Sequence, residues 1–227
     1  CYEIAVLLEP EGRGGSKLMQ RIFEEGRRVF VSKPINHFAL AASASLSLLF
    51  GGGIGVTPMI AFAHELDSAG RNFKLMYSSS TQASAAFDSD FEGQPWAKKC
   101  SKHYSDQGSR LDIASVVPPY EAGIHIYVCG PNAYMTAILD HARFMGYPDV
   151  VLHAEFFVVP DMPDWVNFPF EIECNNGQKV SVNVDQSASD ALIAAGISVD
   201  VKCSDGLCGV CKCTLISGAV EHRDFVL

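Results

Sequence analysis

The chain has 227 residues, 48% of them hydrophobic and 19% charged, enough for one large domain or two small ones around a sizeable core. A formal net charge of −9, with no cluster of Lys and Arg to neutralise phosphates, argues against a nucleic-acid partner. From Asp161 onward ten acidic residues stand against four basic ones, so that segment alone holds −6 of the −9 and is a candidate docking surface for a basic partner.

Cys1–Pro10 lacks the basic stretch, apolar core and cleavage site of a secretory signal. Phe38–Val56 is nearly long enough to span a membrane, but three Ser and four Gly interrupt it. It reads better as a buried strand entering a glycine loop, so no membrane partner is expected. Four of the eight cysteines (Cys1, Cys100, Cys129 and Cys174) are scattered and show no disulfide framework. A reducing, cytoplasmic setting follows.

In chain order, YEIAVLLEP suits a strand, KLMQRIFEEG a short amphipathic helix with Leu18, Ile22 and Phe23 on one side, and RRVFVSKP a second strand. The opening segment is too short to be a domain by itself. From Ser45 the pattern becomes strand, tight glycine loop and helix ending at Gly70. NFKLMYSSS is a strand, AAFDSDFEGQ a helix, IHIYVCGP a buried strand, NAYMTAILDHARFMG a helix, and DVVLHAEFF a closing strand. Short apolar strands alternating with helices predict a parallel sheet covered on both faces. VVPDMPDWVN, with Pro160 and Pro163, is a linker. FEIECNNGQKVSVNV then predicts a hairpin about Asn-Asn-Gly, and SASDALIAAGI a helix starting at Ser187 or Ser189 and stopped by Gly196. CTLISGAV returns as a strand, with Cys213 facing the core.

Between that helix and strand, CSDGLCGVCKC places four cysteines in eleven positions. A disulfide is disfavoured by the tight spacing and the redox setting. Zinc sites usually carry two C-x2-C pairs well apart, and here there is one. Cys203-x4-Cys208-x2-Cys211 is the spacing of plant-type [2Fe–2S] ferredoxins, with Gly206 and Gly209 letting amides approach the sulfurs. Cys203, Cys208 and Cys211 are therefore candidate ligands. The fourth is expected downstream of Cys213, beyond Leu227.

The hairpin, helix and CSDGLCGVCKCTLISGAVEHRD together resemble the phthalate dioxygenase reductase-type family, the reductases of Rieske oxygenases and O-demethylases. The resemblance covers essentially the whole chain and implies a multi-domain protein truncated at both ends. Its parts are the C-terminal part of an FMN-binding β-barrel over 1–44, an α/β NAD-binding domain over 45–157, a linker over 158–167, and a β-grasp ferredoxin domain over 168–227. It assigns Gly12, Arg13, Gly14, Gly15 and Ser16 to the flavin phosphate; consecutive amides at such a turn form an anion nest. SKPINHFAL matches the end of the barrel, and the family's Arg-x-Tyr-Ser flavin motif is absent from the chain.

FGGGIGVTPM resembles the family's nicotinamide loop, implicating Gly52, Gly53, Gly55, Thr57 and Pro58. It departs from G-x-G-x-x-G at Val56. YVCGPNAYM adds Cys129, Gly130 and Pro131, at a strand end where ligands bind in open sheets. The resemblance sets Cys129, Thr57 and Phe157 at the catalytic centre, with Phe156 the neighbour that could be confused with Phe157. Glu155 has no role readable from the sequence, and His64 reads as solvent-facing or structural. Ser78–Ala86 offers no Arg or Lys for a 2′-phosphate, which favours NADH.

A flavin takes two electrons and releases them singly, which explains why a hydride donor and a one-electron cluster share a chain with it. The implied function is an NADH-dependent flavin/iron–sulfur oxidoreductase, passing electrons through FMN and a [2Fe–2S] cluster to a terminal Rieske-type oxygenase. The alternatives are a stand-alone NADH:acceptor reductase feeding a soluble carrier, and a non-enzymatic iron–sulfur redox sensor.

Overall fold

The computed structural model describes residues 2–157, 165–221 and 223. The chain forms two compact units, Cys1–Val158 and Val159–Leu227. The predicted linker lies largely over 158–164, outside the described residues.

The first unit is built on five parallel strands in the order β3-β2-β1-β4-β5: β1 (Leu46–Gly52), β2 (Asn72–Ser79), β3 (Cys100–Tyr104), β4 (Ile124–Cys129) and β5 (Leu152–Glu155). Two helical layers cover it, as a parallel sheet requires. Alternation along each strand sorts the core. Leu49, Leu75, Tyr77 and Tyr127 pack beneath α2 (Val56–Ser68), against Met59, Phe62 and Leu66. Leu48, Phe50, Met76, Ile126 and Val128 face the opposite layer, where Met135, Ile138 and Ala142 of α4 (Asn132–Phe144) and Val117, just beyond α3 (Ile113–Val116), close the core. α2 ends as its sequence predicts: the Arg71 amide donates to the Leu66 carbonyl at 2.8 Å, across Gly70 at φ 64°.

Leading into the sheet, α1 (Gly15–Ile22) forms where the amphipathic pattern predicts it. The flanking runs over 2–9 and 27–34 are not strands. Their apolar side chains are exposed, Phe30 and Val31 among them, because no described segment lies beside them to complete a hydrogen-bond ladder. The end of this segment is fastened to the sheet. Phe38 packs on Phe62 and Tyr127 at ring distances of 5.1 and 6.0 Å, and Arg71 Nη2 donates to the carbonyls of Ala41 (2.6 Å) and Ala44 (3.2 Å).

AAFDSDFEGQ is not an α-helix; it holds one 3-10 turn, Ser89–Phe91, around the buried Phe91. Asp88 accepts from Lys102 and Tyr104 of β3, and these tertiary bonds take the place of a helical ladder. His64 is structural: its Nδ1 accepts from Trp96 Nε1 at 3.3 Å.

In the second unit, β6 (Phe170–Glu173) and β7 (Lys179–Val182) form the predicted antiparallel hairpin, turned at Gly177 with φ 81°. α5 (Ala188–Ala194) starts at Ser187, whose hydroxyl accepts from the Asp190 amide at 3.1 Å. Val180, Val182 and Ala191 make its small core. Arg223 ties the start of this unit to its far end: the guanidinium lies 4.6 Å over the Trp165 ring, and Nη1 donates to Asn167 at 2.8 Å. Residues 213–220 do not return as a strand, and Cys213 is exposed rather than packed in the core. Leu215 and Ile216 are exposed with it, so nothing among the described residues offers that segment a ladder partner.

Candidate functional site

In the first unit the chain runs outward from β1 to β2 and β3, then returns to β4 and β5 on the other side. The direction reverses between β1 and β4, so their C-terminal ends open a crevice where ligands bind in sheets of this kind. Gly51 pairs with Cys129 across that boundary. Beyond it β1 passes into a 3-10 turn, Gly53–Gly55, and then into α2. The two connections interlock at backbone distance: a β-carbon on Gly55 would stand 2.5 Å from the Cys129 carbonyl, and one on Gly52 2.9 Å from the Tyr134 ring. The glycines are there because no side chain fits. Thr57 Oγ1 donates to the Ile54 carbonyl at 3.0 Å and braces the turn, with Pro58 following in the first turn of α2.

The Cys129 side chain is fully buried, and burial pushes its thiol up to about 12, with the charge of Glu155 adding to the effect. It is a neutral thiol at pH 7, not a nucleophile. Glu155, paired with Cys129 in the β4–β5 register, is itself raised by burial and lowered by His37. Gly130 and Pro131 line the crevice between β4 and α4. Phe156 and Phe157, ambiguous in the sequence, separate here: Phe156 packs against the core beneath α4, whereas Phe157 is 48% exposed.

Beside the glycine turn lies a cavity of about 540 Å³ at the C-terminal ends of β1 and β2. Gly52, Gly53, Ile54, Pro131 and Tyr134 line it from the β1–β4 boundary, and Ser78, Ser79, Ser80, Ser84, His103 and Arg110 from β2, β3 and the connections that follow them. The Ser78 and Tyr134 hydroxyls are buried without a hydrogen-bond partner among the described residues, and burial raises the Tyr134 phenol. The two lie beside one another, and the Ser78 hydroxyl partly offsets that rise. Sequence reasoning missed Tyr134, His103 and Arg110. Only the Gly-Pro preceding α4 hinted at Tyr134.

Gly12–Ser16 lies at the start of α1. Gly14 takes φ 94° and no side chain caps the helix, which leaves first-turn amides open to an anion. Ser16 Oγ accepts from the Glu9 amide at 3.0 Å, which shapes the turn.

In the second unit the cysteine loop curls through three left-handed residues, Ser204 (φ 61°), Gly206 (69°) and Gly209 (66°). The Asp205 amide donates to Cys203 Sγ at 3.4 Å. That contact, with help from Cys208 and the Leu207 and Cys208 amides, lowers the Cys203 thiol to about 7 despite some burial. Amides aimed at a sulfur fit the negative charge of a ligated cluster. Cys203 and Cys208 are half-buried and Cys211 is exposed. Among the described residues no three such side chains converge to hold a single metal ion. A binuclear cluster does not demand that convergence, because its four thiolates are shared between two irons.

A crevice at a sheet's switch point, joined in one chain to an acidic thiol-loop module, is the arrangement of an electron-transfer oxidoreductase. Residues 172–227 match the family described as 2Fe-2S iron-sulfur cluster binding domain. The whole chain is 37% identical to a vanillate O-demethylase oxidoreductase of Pseudomonas sp. (strain HR199 / DSM 7063), over 72% of that protein. It is 33% identical to the carnitine monooxygenase reductase subunit of Escherichia coli (strain K12), over 99% of this chain and 70% of that one. The solved structure of phthalate dioxygenase reductase superposes with a TM-score of 0.70 at 32% identity, covering 98% of this chain and 70% of that one. The chain belongs to the phthalate dioxygenase reductase-type family, the oxidoreductase components of oxygenase and demethylase systems. No helix among the described residues is long and apolar enough to cross a membrane.

Proposed function

We propose that the chain takes electrons from NADH and delivers them, through FMN and a [2Fe–2S] cluster, to a terminal Rieske-type oxygenase. The observation that carries this reading is the interlocked glycine turn between β1 and β4, opening on a cavity large enough for a dinucleotide portion. When bound, a flavin accepts a hydride and releases single electrons, which the cluster can carry onward.

Residues 45–157 are the nucleotide-binding domain in this reading, 1–44 contribute to the flavin site and 168–227 form the ferredoxin domain. Gly52, Gly53 and Gly55 let the coenzyme approach the backbone, and Gly130 and Pro131 bound it on the β4 side. Buried Cys129 packs below the crevice floor as a neutral group that keeps water from that point. Thr57 positions the turn through Ile54. Phe157, exposed at the end of β5, is free to cover a flavin ring, while Gly12–Ser16 present amides to its phosphate, with Arg13 adding charge. Cys203, Cys208 and Cys211 hold the cluster, the loop amides balancing their charge.

The acidic second unit suits docking on a basic oxygenase surface. In this reading the protein works in the cytoplasm, where thiols stay reduced and available to a cluster.

The test is NADH-dependent reduction of cytochrome c by protein loaded with FMN and cluster, with binding to a purified oxygenase measured against salt. Turnover together with salt-weakened binding is the expected result. No NADH oxidation with both groups in place would overturn the reading. Turnover without oxygenase binding would leave a stand-alone reductase.

A further inference from the structure

The cavity beside the glycine turn has two unlike ends, and only one is explained by a nicotinamide and a pyrophosphate. Those groups belong at the β1–β4 boundary, against the glycines and the start of α2. The other end lies at the edges of β2 and β3, one and two strands away, and each strand step adds about 4.8 Å. It therefore sits on the order of 10 Å from the switch point, where the adenosine ribose of a dinucleotide would lie.

A site selective for NADH places a carboxylate there, to bind both ribose hydroxyls and repel a phosphate. Among the described residues no Asp or Glu lines this cavity. It has instead the Arg110 guanidinium, which makes no hydrogen bond or ion pair among the described residues. Ser79, Ser80 and Ser84 line the same cavity: Ser84 Oγ donates to the Thr81 carbonyl at 2.9 Å and lies 2.9 Å from Ser79 Oγ and 3.1 Å from Ser80 Oγ. Ser78, just before them in β2, lines the cavity too. A guanidinium lining the same cavity as several hydroxyls, with no carboxylate among the described lining residues to neutralise it, suits a phosphate monoester.

Resting on the coenzyme reading above, we propose that Arg110 with Ser79, Ser80 and Ser84 forms a subsite for the 2′-phosphate of the adenosine ribose. The chain then accepts NADPH as well as NADH. The missing Arg or Lys after β2, which in the sequence favours NADH alone, is supplied from the connection following β3.

Calorimetric titration of the chain with 2′-AMP and with 5′-AMP at fixed ionic strength tests this. The unsubstituted chain should bind 2′-AMP the more tightly. Arg110→Gln should weaken 2′-AMP about ten-fold, the loss of one charge-assisted pair, and narrow the gap between the two ligands. Arg110→Lys should restore part of it, because charge without the planar fork still attracts phosphate. In the loaded protein, kcat/KM for NADPH relative to NADH should fall in the same order. Arg110 is exposed and has no hydrogen-bond or ion-pair partner among the described residues, so neither substitution threatens the fold. Equal affinity for the two mononucleotides, or equal losses of both in Arg110→Gln, would overturn the subsite. If NADH oxidation persists in that case, the coenzyme reading stands without it. If neither mononucleotide binds and NADH is not oxidised, both fail.

Discussion

Gly130 stands so close to Gly52 that a β-carbon on Gly130 would lie 2.9 Å from the Gly52 Cα, backbone against backbone. Two connections 78 positions apart in the chain are thus locked into one crevice wall, and neither can acquire a side chain without moving the other.

Gly55→Ala tests that lock most directly, because its methyl would meet the Cys129 carbonyl oxygen at 2.5 Å. Forcing β1 and β4 apart should cost about 1–3 kcal/mol, as overpacking does elsewhere. A lowered unfolding midpoint together with weakened NADH binding is expected. An unchanged midpoint and affinity would show that the turn yields freely.

Arg71 and Tyr127 hold residues 41–44 to the sheet. Arg71 donates to the Ala41 and Ala44 carbonyls, and the Ala41 amide donates to Tyr127 Oη at 2.8 Å. Arg71→Met should destabilise by about 1.5–3 kcal/mol and Tyr127→Phe by about 1 kcal/mol. Both act on one anchor, so the double variant should lose less than the two single losses combined. Full additivity in chemical denaturation would separate them.

A pH dependence follows from His125 and His153, whose ring nitrogens lie 2.9 Å apart, with His153 stacked on Tyr127 at 4.5 Å. Both are lowered from the usual histidine value, by burial first and then by a neighbouring group, Arg71 for His125 and His125 for His153. A depressed folded value means the unfolded chain takes up protons first. Their contribution is therefore complete above about pH 6.5 and is lost as pH falls from there towards the folded values. His153→Gln should flatten that acid limb, by at most about 1.4 kcal/mol per pH unit and less where solvent reaches the ring. Unfolding midpoints between pH 7.5 and 5 measure it; parallel curves for the two proteins would contradict it.

In the cysteine loop, iron bound after reconstitution with iron and sulfide, read alongside visible absorbance, should fall sharply in Cys203→Ser, Cys208→Ser and Cys211→Ser. Cys213→Ser, altering an exposed thiol outside the left-handed curl, should match the unsubstituted protein. An equal loss in Cys213→Ser would redraw the ligand set.

Much of this molecule is legible in local pattern. The buried strands β1, β2 and β4, the helices α2, α4 and α5, the Asn-Asn-Gly hairpin and the Cys203-x4-Cys208-x2-Cys211 spacing all announce themselves, because periodicity, caps and ligand spacing are properties of neighbours in the chain. Other features do not. β3, Cys100–Tyr104, is a short polar strand whose one sheet partner among the described residues is β2, so nothing in CSKHY marks it. Without β3 the connection that delivers Arg110 has no position. The runs over 2–9, 27–34 and 213–220 carry the apolar character of strands, yet a strand exists only where another lies beside it.

By itself, then, the sequence determined the glycine turn, the thiol loop and the order of strand and helix, through spacings of a few residues. The tertiary structure alone decided that Tyr134 of α4, Ser78 of β2 and Arg110 beyond β3 would meet at one cavity. Those residues are distant in the chain. Only the reversal of strand order between β1 and β4, with the burial that enforces it, brings them within reach of one ligand.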